Sequence, residues 1–583
     1  MEKVCNHALS IKGEGGQRPG EGAGGKLGWN NRNNGKVEMV KRNLLSCFLL
    51  CFLILSSVSP ASAWTVASNN IPLDSPVYEW LDKLAGFGLI KSDFRGIRPF
   101  TRAEAARLLL EAESNHKGNG DTPGSPLVSD LLDELRRALN READLRQNPR
   151  ATPAFDYLLL SSARARYVYL DGVPRSYERP VHDPGNDGVF GIGSGLRPKN
   201  PYPAPAQQHG VEGTPLWENN EGVRYGRGSN ADFRFTAELF AGRFASALIE
   251  PMALLEEQGT SAQARINKGY VKVGSDAFEL ELGRDANWLG LGYRGNITLT
   301  NNAVNFDQVK LSSPEPVLLP YVGALKYSFI FSRFDDALTP VGLRNPWFLA
   351  SKLSLKPADF VELGINLGRQ VGGNGVDNSI GSIIRGLVGG TNNDNSNSLA
   401  GLEARFRIPW LRNLEIYGEF SGEDSASFWP IVESYVAGFY IPRLTTDGSN
   451  DLRFEYYLGN AILYTNGTFP EGYLYRGMPV GHSQGGAAEE FYFRYSHWFG
   501  ARNNLGLEYW HGERGNLGRV PVSGIQQAVE RKDSARVSWS FPVKGDFDCR
   551  VAYGLERVRN KDLVQGENRT NQLLNLELSY RYR

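Results

Sequence analysis

The sequence predicts a mostly β protein: a large antiparallel transmembrane β-barrel of about 18 strands with a small N-terminal periplasmic helical bundle. Three observations carry this reading. Period-two alternation of apolar and polar residues runs through most of the chain beyond Pro153. The connections alternate between very short and long, and the segment preceding the first helix reads as a signal for export.

Composition narrows the class. Lys and Arg total 64 against 64 Asp and Glu, so no basic face is available for a nucleic-acid partner. Gly is abundant at 66 and aromatic residues make up 11%, whereas Met and Cys number 4 each. That mixture favours β structure with many turns.

Lys41 and Arg42 precede the apolar run Leu44 to Leu55, and Ala61-Ser62-Ala63 supplies small residues for cleavage. Residues 1–63 are therefore expected to be a signal region, with the true start at Met39 and processing after Ala63. Leu50 is too large for the position before a lipidated Cys51. Only Cys549 would remain, which excludes an internal disulfide and a multi-cysteine zinc site.

Residues 64–150 read as the helical bundle. Ser75-Pro76 opens a helix with Val77, Trp80, Leu81, Leu84 and Phe87 at helical spacing. Thr101 and Glu104 form a capping box ahead of Leu108 and Leu109, and Ser125-Pro126 opens a third helix running to Leu139.

Residues 151–583 read as the barrel. Phe233, Phe235 and Leu239 alternate with Asp232, Arg234 and Glu238; Leu402, Ala404, Phe406 and Ile408 alternate with Glu403, Arg405 and Arg407. Short turns are expected at Ala241 to Arg243, Pro357 to Asp359, Pro409 to Asn413, Phe499 to Asn504 and Pro542 to Asp546. Long polar connections fall between, such as Asp171 to Asn220 and Ser421 to Ser434. A soluble sandwich also alternates, but the signal region and the Tyr and Phe residues near strand ends point to a membrane wall. The final strand carries Leu574, Leu576, Leu578, Tyr580 and Tyr582 on one face; a barrel's closing strand commonly ends on an aromatic residue, and here Tyr582 is penultimate, with Arg583 as an extra residue. The protein is expected to be a monomer in contact with outer-membrane lipid of a Gram-negative cell.

Several motifs suggest chemistry. Gly481-His482-Ser483-Gln484-Gly485 has the letters of a nucleophile elbow, but that device needs a strand-to-helix turn, and Phe491, Phe493 and Tyr495 downstream read as a strand. His482, His497 and His511 lack metal-ligand spacing, the Asn392 to Ser398 loop lacks the glycine and terminal glutamate of a calcium loop, and no cofactor motif is found. The Gly-rich, aromatic, amide-rich passage from Gly283 to Leu311 has stacking faces and donors suited to a sugar, although a tight loop without ligand has the same composition. Within a barrel it reads as a strand end, a segment that turns or enters the lumen, and a following strand containing Ile297 and Leu299.

Residues 287–311, NWLGLGYRGNITLTNNAVNFDQVKL, resemble the tryptophan, Gly-rich and SNNA segment of the capsule assembly Wzi family, with Thr300 in place of serine. Tyr473 to His482, YLYRGMPVGH, is similar to that family's YRG and GH block. The front helices resemble its periplasmic region. The resemblance implies a non-enzymatic outer-membrane barrel that binds capsular or exopolysaccharide and helps attach or organise it, with no metal or cofactor. Candidate polysaccharide-binding side chains are Trp288, Tyr293, Arg294, Asn301 and Asn302, then Trp429 and Trp510, then Arg476 and His482. A carbohydrate-selective porin is the alternative.

Overall fold

The computed structural model describes residues 67–118, 125–174, 176–182, 206–256, 262–274, 277–334, 345–383, 396–423, 430 and 432–581. The signal region with Met39 and Ala63, the candidate Trp429 and Tyr582 lie outside the described residues.

Eighteen strands form a closed antiparallel barrel, counting Val317–Leu319 as the continuation of Phe306–Ser312. Each strand pairs with its sequence neighbour in the wall, and the first, Phe155–Asp171, closes the ring against the last, Asn568–Arg581, with Ala165 opposite Leu578. Closure matters because a spanning wall has no water to satisfy an unpaired edge. No described helix is long and apolar enough to cross a membrane; strands do the crossing.

Alternation sorts the side chains as expected. Phe233, Phe235 and Leu239 point outward and are about half exposed, while Asp232, Arg234, Thr236 and Glu238 are buried inside. Likewise Phe406 faces out, and Glu403, Arg405 and Arg407 face in. The outer surface is thus suited to lipid, and the lumen is lined by charge.

All five expected short turns are present: the strands bordering them end and resume at 241 and 245, 358 and 361, 408 and 414, 500 and 503, and 544 and 547. Left-handed backbone at Gly242 (φ 54°) and Gly545 (φ 56°) makes two of them tight. Exposed Phe244, Tyr321, Phe360, Trp410 and Phe499 stand at or beside this end, as an interfacial aromatic girdle does.

Four helices precede the wall: α1 (Val77–Gly86), α2 (Arg102–Gly118), α3 (Pro126–Ala138) and α4 (Asn140–Gln147). The third predicted helix ends one residue early, at Ala138, and α4 follows after Leu139. The capping box is half made. The Glu104 amide donates to Thr101 Oγ1 at 3.1 Å, but the Glu104 carboxylate pairs with Arg107 at 2.9 Å instead of reaching back.

Trp80, Leu84, Leu108, Leu109, Leu131 and Leu135 form the bundle core, which continues into Trp498 and Ala501 of the wall. Helices and wall belong to one compact unit. The bundle seats on the short-turn end: Trp80 Nε1 donates to the Ala501 carbonyl at 2.8 Å, and Asn413 Nδ2 donates to the Gly86 carbonyl at 2.9 Å.

From there the chain after α1 enters the lumen. Asp93 accepts from Arg405 and Arg407, each at 2.9 Å, and lies 3.4 Å from Lys356. Burial alone would raise the Asp93 carboxyl, yet these three cations hold it well below its ordinary value. Ile97 and Arg98 then pair with Leu289 and Trp288 in a two-stranded ribbon. This ribbon joins the bundle to the Gly283 to Leu311 passage.

Candidate functional site

The wall strand Glu279–Asp285 ends at Asp285, and the next begins at Phe306. Between them the chain folds into the lumen. Ile297 and Leu299, expected on a following strand, are wholly buried in this inserted segment, and Leu299 makes only an isolated bridge with Leu289. Their apolar alternation is satisfied by a core inside the barrel and not by lipid outside it.

An inserted segment brings unpaired backbone groups into a dry interior, and each needs a partner. Glu455, inward on its strand, serves three of them at once and one wall hydroxyl besides. Its carboxylate accepts from the amides of Tyr293 (2.6 Å), Arg294 (2.8 Å) and Gly295 (3.1 Å) and from the Tyr417 hydroxyl (2.7 Å). Glu419 accepts from the Ile297 amide at 3.2 Å. Gly295 is required by close approach: a Cβ there would lie 2.2 Å from the His482 ring.

The second passage, between the strands ending at Gly459 and beginning at Ala488, also folds inward and docks on the first. The Thr300 amide donates to Val480 O (2.9 Å), Thr300 Oγ1 to Gly481 O (2.6 Å) and Asn302 Nδ2 to Pro479 O (3.0 Å). The Tyr464 hydroxyl donates to Ile297 O at 2.6 Å and accepts from the His482 amide at 2.8 Å. The two passages singled out in the sequence are therefore two halves of one lumenal insert.

His482 lies flat on Tyr457, ring centroids 3.5 Å apart, and its Nδ1 accepts from the Gln484 amide at 3.3 Å. Burial, with Arg294 and Arg514 adding, pushes its pKa well below the ordinary 6.5 and keeps the imidazole neutral. Gly481 to Gly485 is not a strand-to-helix turn: it is coil and turn packed within the insert.

Where the insert meets the helices lies a chamber of ≈ 320 Å³. It brings together four of the nine candidates, Trp288, Tyr293, Arg294 and Asn301. Asn302 and His482 lie instead at the seam between the two passages. Trp510 sits in the wall behind Arg294, whose guanidinium covers its ring at 4.7 Å. Arg476, half-buried with φ 49°, is at the tip of the small hairpin Leu474–Tyr475 and Met478–Pro479.

Aromatic faces in the chamber are covered by cations of the protein. Arg98 stacks on Trp288 at 4.9 Å, Arg453 on Tyr293 at 4.1 Å and Arg166 on Trp217 at 4.9 Å. Arg294 is further held by Glu490 and Glu218, each at 3.1 Å. Sequence reasoning missed Arg98, Trp217, Arg453 and Glu455. Arg453 and Glu455 alternate with Phe454 in an ordinary strand pattern, so nothing local distinguishes them; Arg98 was within reach, as an arginine beside the predicted helices.

The family model described as capsule assembly protein Wzi matches residues 197–573. A curated Klebsiella pneumoniae protein, described as an uncharacterized 55.8 kDa protein in the cps region, is 26% identical over 171 residues. That match spans 27% of this chain and 33% of the relative's length. Among solved structures, Wzi of Escherichia coli, described as an outer-membrane protein involved in group 1 capsule assembly and a carbohydrate-binding β-barrel, aligns with a TM-score of 0.59 at 15% identity. The alignment covers 88% of this chain and 99% of that one.

Proposed function

From the premise that this chain belongs to the capsule assembly Wzi family, we propose that it is an outer-membrane protein that binds surface polysaccharide and helps attach or organise it, without catalysis. The observation that carries the reading is the lumenal insert. Both family passages are consumed in filling the barrel. A wall plugged from one end by helices and from the other by its own connections suits a receptor better than a diffusion pore.

In this reading Trp288, Tyr293, Arg294, Asn302, His482 and Trp510 hold the insert in shape, and Asn301 contributes through its backbone carbonyl, which accepts from the Glu221 amide at 2.9 Å. Arg476, half-buried at a hairpin tip, and Trp429, in a long connection, are the candidates to meet polymer. The bundle occupies the periplasmic side, where the short turns of such barrels lie, and the chain functions as a monomer.

The test is retention of capsular or exopolysaccharide by the purified full chain in a pull-down, with deletion releasing polymer from cells. Absence of retention together with unchanged surface polymer refutes the proposal. Large, steady single-channel currents in planar bilayers would favour the carbohydrate-selective porin.

A further inference from the structure

Twelve arginines line the chamber between helices and insert. Ten of them lie within ion-pair distance of a carboxylate. Arg98 and Arg550 have none among the described residues. Arg98 is fixed by its stack on Trp288 and by donation from Nη2 to Gly292 O at 3.0 Å, but its Nε has no acceptor; neither does Nε of Arg550. Both are half-buried, and Asp82 acts on Arg98 and Glu577 on Arg550 only from beyond ion-pair distance; burial pushes the Arg98 pKa down to about 10.

Unused acceptors share the same space. Asn220 and Asn301, 8% and 7% exposed, line the chamber with Oδ1 atoms that receive no hydrogen bond. Unfilled cationic donors beside unfilled neutral acceptors are complementary to a molecule carrying both an anionic group and hydroxyls. The lining reaches Asp74, Arg502 and Asp548 at the short-turn end, where Asp74 is exposed. The mouth therefore lies on the bundle side, away from the long connections.

We propose that this chamber is a binding site, entered from the periplasmic side, for a polyhydroxylated small molecule bearing a carboxylate or phosphate. Arg98 and Arg550 take the anionic group; Asn220 and Asn301 accept its hydroxyls. The site is separate from any contact with surface polymer, so its test stands whether or not polymer is retained.

Trp217 and Trp288 line the chamber, which makes intrinsic fluorescence of the full chain in detergent micelles the readout. Titration with glucuronate and with glucose 6-phosphate is expected to give a saturable change in at least one, and glucose none. A response to the first alone identifies the carboxylate class and to the second alone the phosphate class. Arg98→Gln and Arg550→Gln are each expected to weaken binding roughly tenfold or more. Either variant suffices if the other does not fold. No saturable change with either anion, an equal change with glucose, or unaltered affinity in the variants overturns the proposal.

Discussion

Replacing Glu455 by Gln tests whether one carboxylate holds the first passage in the lumen. Oε1 accepts from the amides of Arg294 and Gly295, and Oε2 from the Tyr293 amide and the Tyr417 hydroxyl. Glutamine keeps one acceptor oxygen and turns an NH2 toward the other pair of donors. Two hydrogen bonds to a charged acceptor are lost, each contributing about 1.5–3 kcal/mol. Rotation of the Tyr417 hydroxyl recovers part of this, leaving a net cost of about 3 kcal/mol. If opening equilibrates faster than cleavage, that cost raises the open population about 150-fold. Arg294 is buried in the closed insert and is followed by Gly295, so limited trypsin digestion in detergent with mass spectrometry reads its exposure directly. The variant should be cut after Arg294 far faster than the parent while the wall stays folded. Equal cleavage rates would refute the assignment of Glu455 as the anchor.

Two further outcomes follow from the same interior. His482 is neutral in the fold and has an ordinary value of 6.5 when unfolded. Below that pH the unfolded chain therefore binds more protons, and stability present above pH 6.5 falls by about 1.4 kcal/mol per unit as pH drops toward the depressed folded value. Urea unfolding of parent and His482→Gln at pH 7.5 and 5.0 should show a steeper loss in the parent; parallel losses would contradict it. Asp93→Asn leaves Arg405, Arg407 and Lys356 facing a neutral group, a loss of about 3–5 kcal/mol for a broken buried ion cluster. Planar-bilayer recordings should then show conductance steps absent from the parent, as the helices loosen from the lumen; identical traces would argue against Asp93 as the latch.

The wall was legible because its determinants are local. Phe233 to Leu239 and Leu402 to Arg407 alternate strictly, and the chain turns at Asp359, directly after the Pro357-Ala358 strand end, and at Pro409 to Asn413. Membership in the family was legible in the two passages for the same reason, since residue order is all a resemblance needs. The lumen was not. Ile297 and Leu299 alternate as a wall strand does, and far-off partners such as Glu455, Glu419 and Tyr464 draw that segment inside. Thr300 and Gly481, like Asn302 and Pro479, are neighbours through hydrogen bonds that span some 180 residues of sequence, which no window of local pattern contains. Arg98 likewise gains meaning only from Trp288 opposite it. Boundary details failed where a side chain found a better partner, as Glu104 did in Arg107.

The ring closure between Phe155–Asp171 and Asn568–Arg581 sets an order of events. The helical region precedes the wall in sequence, but its partners are distributed around the whole wall: Glu281 for Asn70, Arg405 for Asp93, Asp451 for Lys83, Arg494 for Glu79. The four partners stand on four different strands, whose mutual placement is fixed when the ring closes. Docking of the bundle on all four is thus expected to come late, since it is reached through contacts of very large sequence separation, and maturation should be slow for that reason. The segment made earliest is thus expected to wait longest for its native surroundings.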